Sequence, residues 1–402
     1  MQNNSIWIYP WDLMDEGVSS VLDRLQNVGI NGINVAAYYH SGRFFLPHNP
    51  KRKVYFTEPG ALYFEPDQSW YRKSSIKPPV SKFASNSFWD ELRNETKKRS
   101  MTLTVWMLSL HNSQIGFNYP ETNVVNAFGD KSPVALCASN PDVQELMLSV
   151  IDDITKNLDV DKVLIESLEY MPFRHDYHHE VIGIPLKPAI EFLMSLSFNE
   201  TLVKDAKERG IDIESVRNYV KQVCEEHFMN PYKPEDLSIE KLSNAIDGEF
   251  SKYLKLREDY LTDMFKKIHE VIKGNNANIK IGLVDFSPIL PLGVNDGFWE
   301  NGVNLKECSE FLDELHPTFY FTDREIMDKR VKEYLALIEK LNNEIDIIPA
   351  VRAILPQVSS KQDLEATVNS LNDLSDGYSF YNYGFMTYQT LDWIREVIKE
   401  QK

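Results

Sequence analysis

The chain has 402 residues, 43% hydrophobic and 26% charged, the balance of a globular protein with a sizeable core. Its formal net charge of −17, from 60 acidic against 43 basic residues, repels phosphate backbones and anionic lipid surfaces, which argues against nucleic acid and membrane as partners. Cys137, Cys224 and Cys308 are too few and too far apart for a disulfide framework or a CxxC site and read as buried thiols, and no apolar stretch reaches the ~18 residues that span a bilayer.

The amino terminus, MQNNSIWIYPWDL, lacks a basic segment followed by an apolar run, so the chain reads as cytoplasmic or as stripped of its signal. From there, eight apolar, β-rich runs alternate with helical patterns, the signature of a parallel sheet with crossover helices. The first run is 5–11, followed by a helix over 16–28 that Gly29 ends. Run two, 32–39, meets its helix at 88–98 only after an excursion over 41–86. Basic residues cluster at Lys51-Arg52-Lys53 in that loop and at Lys97-Lys98-Arg99 at the helix end, where they read as solvated. Run three, 102–110, leads to a helix over 141–157 that Asn140 caps, with Pro141 in its first turn. Run four, 160–168, is apolar until Glu166, as a strand buried on both faces should be.

The segment 171–273 is helical by period, with helices over 188–197, 213–226 and 250–272; its part 171–249 reads as an insertion serving as a lid or an oligomer contact. Run five is 279–285 with a helix at 305–315, run six 317–321 with 324–341, run seven 345–354 with 364–374, and run eight 378–383 with 388–399. Without the 41–86 loop and the insertion, roughly 275 residues remain, close to the ~250 of a typical (β/α)₈ TIM barrel. The predicted fold is therefore α/β, a single barrel domain over 1–402.

In such a barrel function collects where each strand ends and its loop opens. Polar and aromatic residues stand at those places: Trp11 and Asp12, Tyr38 and His40, His111 and Asn112, Glu166 and Glu169, Asp285, Tyr320, Arg352, Asn382 and Tyr383. A ring of this kind suits a small-molecule or oligosaccharide substrate, with aromatic faces for the apolar side of a sugar and carboxylate, amide and imidazole groups for its hydroxyls. Trp106 reads equally as core, Asp12 as a helix cap and Arg352 as a buried charge paired with Asp285 or Glu166. Glu166, closing an apolar strand, suffers desolvation unless it has a partner or a task.

Glycoside hydrolysis requires two carboxyl groups, one holding a proton and one ionised. Glu166 and Asp285, at the ends of neighbouring strands, are the expected pair, with no order assigned between them and no cofactor implied. Glu169, Asp176 and Asp323 stand in reserve as second carboxylate. Many retaining barrels carry a nucleophilic Glu at the end of strand seven; here Arg352 stands in that neighbourhood. The segment HDYHHE, with His175, His178, His179 and Glu180, offers donors either to substrate hydroxyls or to a divalent metal, the second serving a metal-dependent sugar isomerase or hydrolase. It matches no specific zinc signature, so the expected site contains no metal. A non-catalytic carbohydrate-binding barrel is the third reading.

The segments WDLMDEGV (11–18), AAYYHSGRFFLPHNP (36–50), ALYFEP (61–66), HNSQIG (111–116), ALCASNPDV (135–143), LIESLEYMPFRHDYHHE (164–180) and FYNYGF (380–385) resemble a group of bacterial and archaeal TIM-barrel proteins classed as glycoside hydrolases. The resemblance runs over most of the chain. It implies a barrel fold and a site in which Glu166, His179 and Glu180 belong to a strand-four motif and Asn382 and Tyr383 to a strand-eight motif. It assigns no catalytic roles. The expected protein is a carbohydrate-active hydrolase, possible as a homo-oligomer.

Overall fold

A computed structural model describes residues 3–71, 73–175, 180–233, 238–291, 294, 300–341, 343–374 and 377–401. Its strands in chain order are β1 (Ser5–Ile8), β2 (Gly32–Tyr39), β3 (Arg43–Phe45), β4 (Val54–Phe56), β5 (Ala61–Leu62), β6 (Thr102–Leu108), β7 (Asn123–Val125), β8 (Lys131–Leu136), β9 (Lys162–Glu166), β10 (Lys280–Asp285), β11 (Glu314–Pro317), β12 (Asp346–Ile347), β13 (Ala350–Arg352) and β14 (Ser379–Tyr381). The principal sheet runs β12-β11-β10-β9-β6-β2-β1-β14-β13, all parallel, with β5 antiparallel on β2. It is a mixed α/β fold around a mostly parallel, curled sheet. At its two ends, β12 and β13 are consecutive in the chain, separated by Ile348 and Pro349 alone, and Thr318 bridges Ala350 in parallel.

Alternation along the strands sorts two kinds of core. Ile6, Ile8, Val35, Val105, Ile165, Leu283 and Phe380 point toward the helices and join an aliphatic cluster. Trp7, Tyr9, Ala36, Tyr39, Trp106, Leu164 and Val284 point the other way, into an aromatic-rich cluster that Phe44, Tyr381 and Phe385 border. Beneath the aromatics lies a polar layer. There Asn34 donates to the hydroxyls of Ser5 and Ser379 at 3.2 and 3.0 Å, and the Lys162 ammonium meets the Glu314 carboxylate.

Several expected elements shift. Run one ends at Ile8, because Pro10 occupies the first turn of a helix, Pro10–Glu16, which Gly17 (φ 89°) separates from Val18–Val28. Trp11 and Asp12 are therefore helical rather than strand-terminal. The predicted run 317–321 and helix 305–315 are both displaced: the strand is Glu314–Pro317, and the helix stops at Cys308 before a single tighter turn, Ser309–Phe311. A strand carrying Glu314 and His316 does not read as apolar, yet both are buried because Lys162 and His316 itself satisfy the Glu314 carboxylate. Run seven divides into β12 and β13. The helices 88–98, 324–341, 364–374 and 388–399 become Asn86–Lys98, Arg324–Ile338, Lys361–Leu371 and Tyr388–Glu400, and Asn140 caps Pro141–Asn157 as expected.

The excursion 41–86 contains the β3–β4 hairpin and β5. Within 171–249, helices Pro188–Ser195 and Ile213–Met229 are joined by Glu200–Glu208, which the sequence reading missed. They pack around a second apolar cluster that includes Phe192, Leu193, Phe198, Leu202, Val216 and Val220. The helix Glu249–Asn275 belongs to both cores: Phe250, Tyr253 and Leu254 join this cluster, and Leu261, Met264, Phe265, Ile268 and Ile272 join the aliphatic one.

Candidate active site

Because the strands of the principal sheet are parallel, their carboxyl ends open on one side. Glu166 ends β9 there with its side chain on the aromatic side of the sheet, half-buried, and accepts a hydrogen bond from Trp106 Nε1 at 2.5 Å. Burial drives its pKa up to about 7 against the opposing pull of the indole N–H. The charge of Glu166 also acts on Tyr39, Tyr320 and Tyr381, whose own pKa values burial raises first. Tyr39 packs edge-on to Trp106 at 4.8 Å, Tyr320 and Tyr381 have ring centroids 6.4 Å apart, and the hydroxyls of Tyr9 and Tyr381 are 3.5 Å apart. Arg352, the last residue of β13, stands opposite Tyr381 in the strand register and has its guanidinium 5.8 Å from the Tyr320 ring centre. A carboxyl group, phenol hydroxyls and a guanidinium thus meet among aromatic faces, a surface able to stack a ring and bond its hydroxyls.

Of the residues singled out from sequence, Glu166, Tyr320 and Arg352 fall in this group. The expected partner of Glu166 does not. Asp285 projects to the helix side of the sheet, where its carboxylate accepts from Ser287 N and Oγ at 2.9 Å each and from the Tyr334 hydroxyl at 2.8 Å. Glu169, 8% exposed, takes a 2.9 Å bond from Asn301 Nδ2. Burial, then the charges of Asp285, Glu166 and Glu300, push its pKa up to about 8.

Tyr38 points away from the mouth. Its hydroxyl accepts a hydrogen bond from Asn112 Nδ2, while Asn112 Oδ1 caps the helix Ser113–Asn118 through Ile115 N at 3.0 Å. Tyr39 faces inward instead, because the register between β2 and β6 slips at Ala36–Tyr38, and a slip of one residue exchanges the faces of a strand. Trp11 is fully buried, stacked on Tyr9 at 4.3 Å and 11°. Asp12 is buried beneath Gly384, where a Cβ would stand 2.5 Å from its Oδ2, and desolvation raises its pKa to about 8. Tyr383 is fully buried and donates to Glu16 Oε2 at 2.8 Å. Glu16 also pairs with His48 at 2.9 Å and Arg24 at 2.8 Å. Asn382 Oδ1 accepts from Gly384 N at 3.1 Å. These residues tie the first helix to the turn after β14.

His40, His111 and His175 form a separate group. The imidazoles of His40 and His111 stack at 4.2 Å, and His175 meets His111 edge-on at 5.4 Å. They line a cavity of about 420 Å³ together with Arg174, Gln114 and Phe117. Glu180 is exposed, and Asp176, His178 and His179 lie outside the described residues. Among the described residues no three His, Cys, Asp or Glu side chains gather as a metal would require. Tyr9, Tyr39 and Tyr381 stand at the same strand ends as the expected site residues and join the group in their place, and the alternation counted outward from Trp106 and Glu166 is the signal that finds them.

No family model matches the chain, and no curated protein matches it. Solved structures do. The chain is similar to the PgaB (BpsB) glycoside hydrolase domain from Bordetella bronchiseptica, with a TM-score of 0.62 at 12% identity over 99% of each chain. It is similar to a beta-galactosidase from Bacillus circulans sp. alkalophilus, with a TM-score of 0.60 at 10% identity, covering 99% of this chain and 56% of that one. It is also similar to alpha-L-fucosidase isoenzyme 2 from Paenibacillus thiaminolyticus, with a TM-score of 0.58 at 9% identity over 100% of this chain and 49% of that one. The chain thus spans about half the length of the latter two, and at these identities the likeness speaks for the fold.

Proposed function

We propose that the chain is a carbohydrate-active hydrolase, a glycosidase working at the carboxyl ends of the strands of a closed (β/α)₈ barrel. The observation that carries the reading is Glu166, a half-buried carboxyl group with a pKa of about 7 walled by Tyr39, Tyr320 and Tyr381. Such a group holds its proton for part of the time at neutral pH, as a general acid must. Glu166 delivers that proton to the glycosidic oxygen as the bond to the anomeric carbon breaks. Water adds at that carbon and gives up a proton to a carboxylate. Glu169, whose charge couples to Glu166 and whose own pKa burial pushes up to about 8, is the second carboxyl group we assign, and it takes that proton in the fraction of molecules that carry it ionised beside a protonated Glu166. Asp285, bonded to Ser287 and Tyr334, holds the turn after β10.

Closure of the barrel is supported by backbone bonds from Ile348 N to Leu315 O at 2.8 Å and from Ser379 N to Pro349 O at 3.0 Å, which tie the residues between β12 and β13 to both flanking strands. A lid role for 171–249 is supported by a cavity of about 270 Å³ bordered by Met171, Phe173 and Met194 beside the histidine-lined one. The fold of the neighbours, glycoside hydrolases by name, agrees with the reading.

The test is a panel of chromogenic glycosides in both anomers, with Glu166→Gln, Glu169→Gln and Asp285→Asn compared on any substrate found. Glu166→Gln should lower kcat by about 10²- to 10⁴-fold with the fold intact. Unchanged turnover in that variant would remove the assignment. Sugar binding without hydrolysis of any glycan would leave a binding barrel instead.

A further inference from the structure

Arg24, Arg52, Arg93 and Arg99 each hold a carboxylate. Arg352 holds none. It is half-buried, its Nε is fully enclosed without a hydrogen-bond partner among the described residues, and its guanidinium lies over the Tyr320 ring, 5.8 Å from the ring centre. An enclosed Nε–H without an acceptor leaves the donor set of this guanidinium incomplete, and an anion supplied from outside would complete it. The contrast is sharp in a chain with a net charge of −17, whose Glu166 carboxyl group in the same site takes its hydrogen bond from Trp106. Glu166 and Arg352 both act electrostatically on Tyr320 and Tyr381, which puts the carboxyl group and the guanidinium around one pair of phenols.

Resting on the glycosidase reading, we propose that the substrate is an acidic sugar, whose carboxylate or sulfate ester pairs with Arg352 while its glycosidic oxygen meets Glu166. The planar fork of a guanidinium offers two parallel N–H donors to such a group, and contact with the Tyr320 face holds the fork in place. The anionic substituent therefore fixes the orientation of the ring, and neutral sugars lose that anchor.

Calorimetric titration of the full chain tests this without requiring turnover. The probes are methyl glucuronide, methyl galacturonide, a 6-sulfated methyl galactoside, and neutral methyl glucoside and galactoside. The wild type should bind at least one acidic probe on the order of 100-fold more tightly than its neutral counterpart. Arg352→Met should abolish that preference, and Arg352→Lys should restore part of it, with circular dichroism and Tm verifying the fold of each. Tight binding of the uronides or of the sulfated probe identifies which anion is used. Equal affinity for acidic and neutral probes, binding of none of the acidic ones, or an unchanged preference in Arg352→Met overturns the proposal. Aryl uronides and aryl glycosides then separate the two readings: preferred hydrolysis of neutral substrates sinks the acidic sugar and leaves the hydrolase, whereas acid-selective binding with no hydrolysis sinks the hydrolase and leaves the acidic sugar.

Discussion

Burial lifts the pKa of Glu166 to about 7 and those of Asp12 and Glu169 to about 8, whereas Glu314 is held at about 2 because His316 and Lys162 outweigh the burial that pushes it up. The signs of their contributions to stability are opposite. A carboxyl group with a raised folded pKa leaves stability whole below its unfolded value, near 4, and diminishes it as pH rises through 7 to 8. Glu314 contributes above its unfolded value, and that contribution fades as pH falls toward 2. The Tm should therefore peak between about pH 4.5 and 6.5 and be lower at pH 8.5; a scanning-fluorimetry profile still rising at pH 8.5 would contradict it. Asp12→Asn removes a charge that the fold does not solvate, so its Tm at pH 8.5 should exceed that of the wild type and the alkaline slope should flatten. Hydrolysis depending on the Glu166 proton should decline above pH 7, a limb visible in the kcat profile.

At the level of elements, close approach makes one glycine hard to replace. Gly116 lies in the helix Ser113–Asn118, and a Cβ there would stand 2.0 Å from the Pro133 carbonyl oxygen on β8. That neighbour is backbone, so Gly116→Ala should cost about 2 kcal/mol or more in urea denaturation. Gly274, near the end of Glu249–Asn275 with open space around its Cα, should tolerate Ala with a gain of up to about 1 kcal/mol. Neither setting is visible in the sequence. What the sequence made legible were elements with a strong period or a cap: β2, β6, β9, β10 and the helix that Asn140 opens all fall within a few residues of expectation. It misled where burial was polar, as at Glu314 and His316, and where a register slip decided between Tyr38 and Tyr39. Glu166 was identifiable because a lone carboxylate closed an apolar strand. Asp285 follows Leu283 to the helix side by alternation, but nothing in the run itself says which face is the mouth, and the Tyr334 hydroxyl that satisfies it comes from a helix 49 positions later.

On the scale of the whole molecule, the helix Glu249–Asn275 is 27 residues long, about 40 Å of rigid rod anchored at one end in the core of the inserted helices and at the other in the layer behind the sheet. Neither core can lose its share of that helix without disturbing the other, so thermal unfolding should be a single cooperative transition. Two resolved calorimetric peaks would show that the cores melt independently. The meeting of the first strand with the last has a different reach. β1 pairs with β14, and the hydroxyls of Ser5 and Ser379, 374 positions apart, share a hydrogen bond. During translation, β1 emerges from the ribosome long before the strand that will flank it exists, so one of its edges must wait, exposed to mispairing, until nearly all of the chain has been made. Refolding from denaturant is freed of that delay but still has to close the longest loop the chain offers, which makes this seam the natural bottleneck of folding.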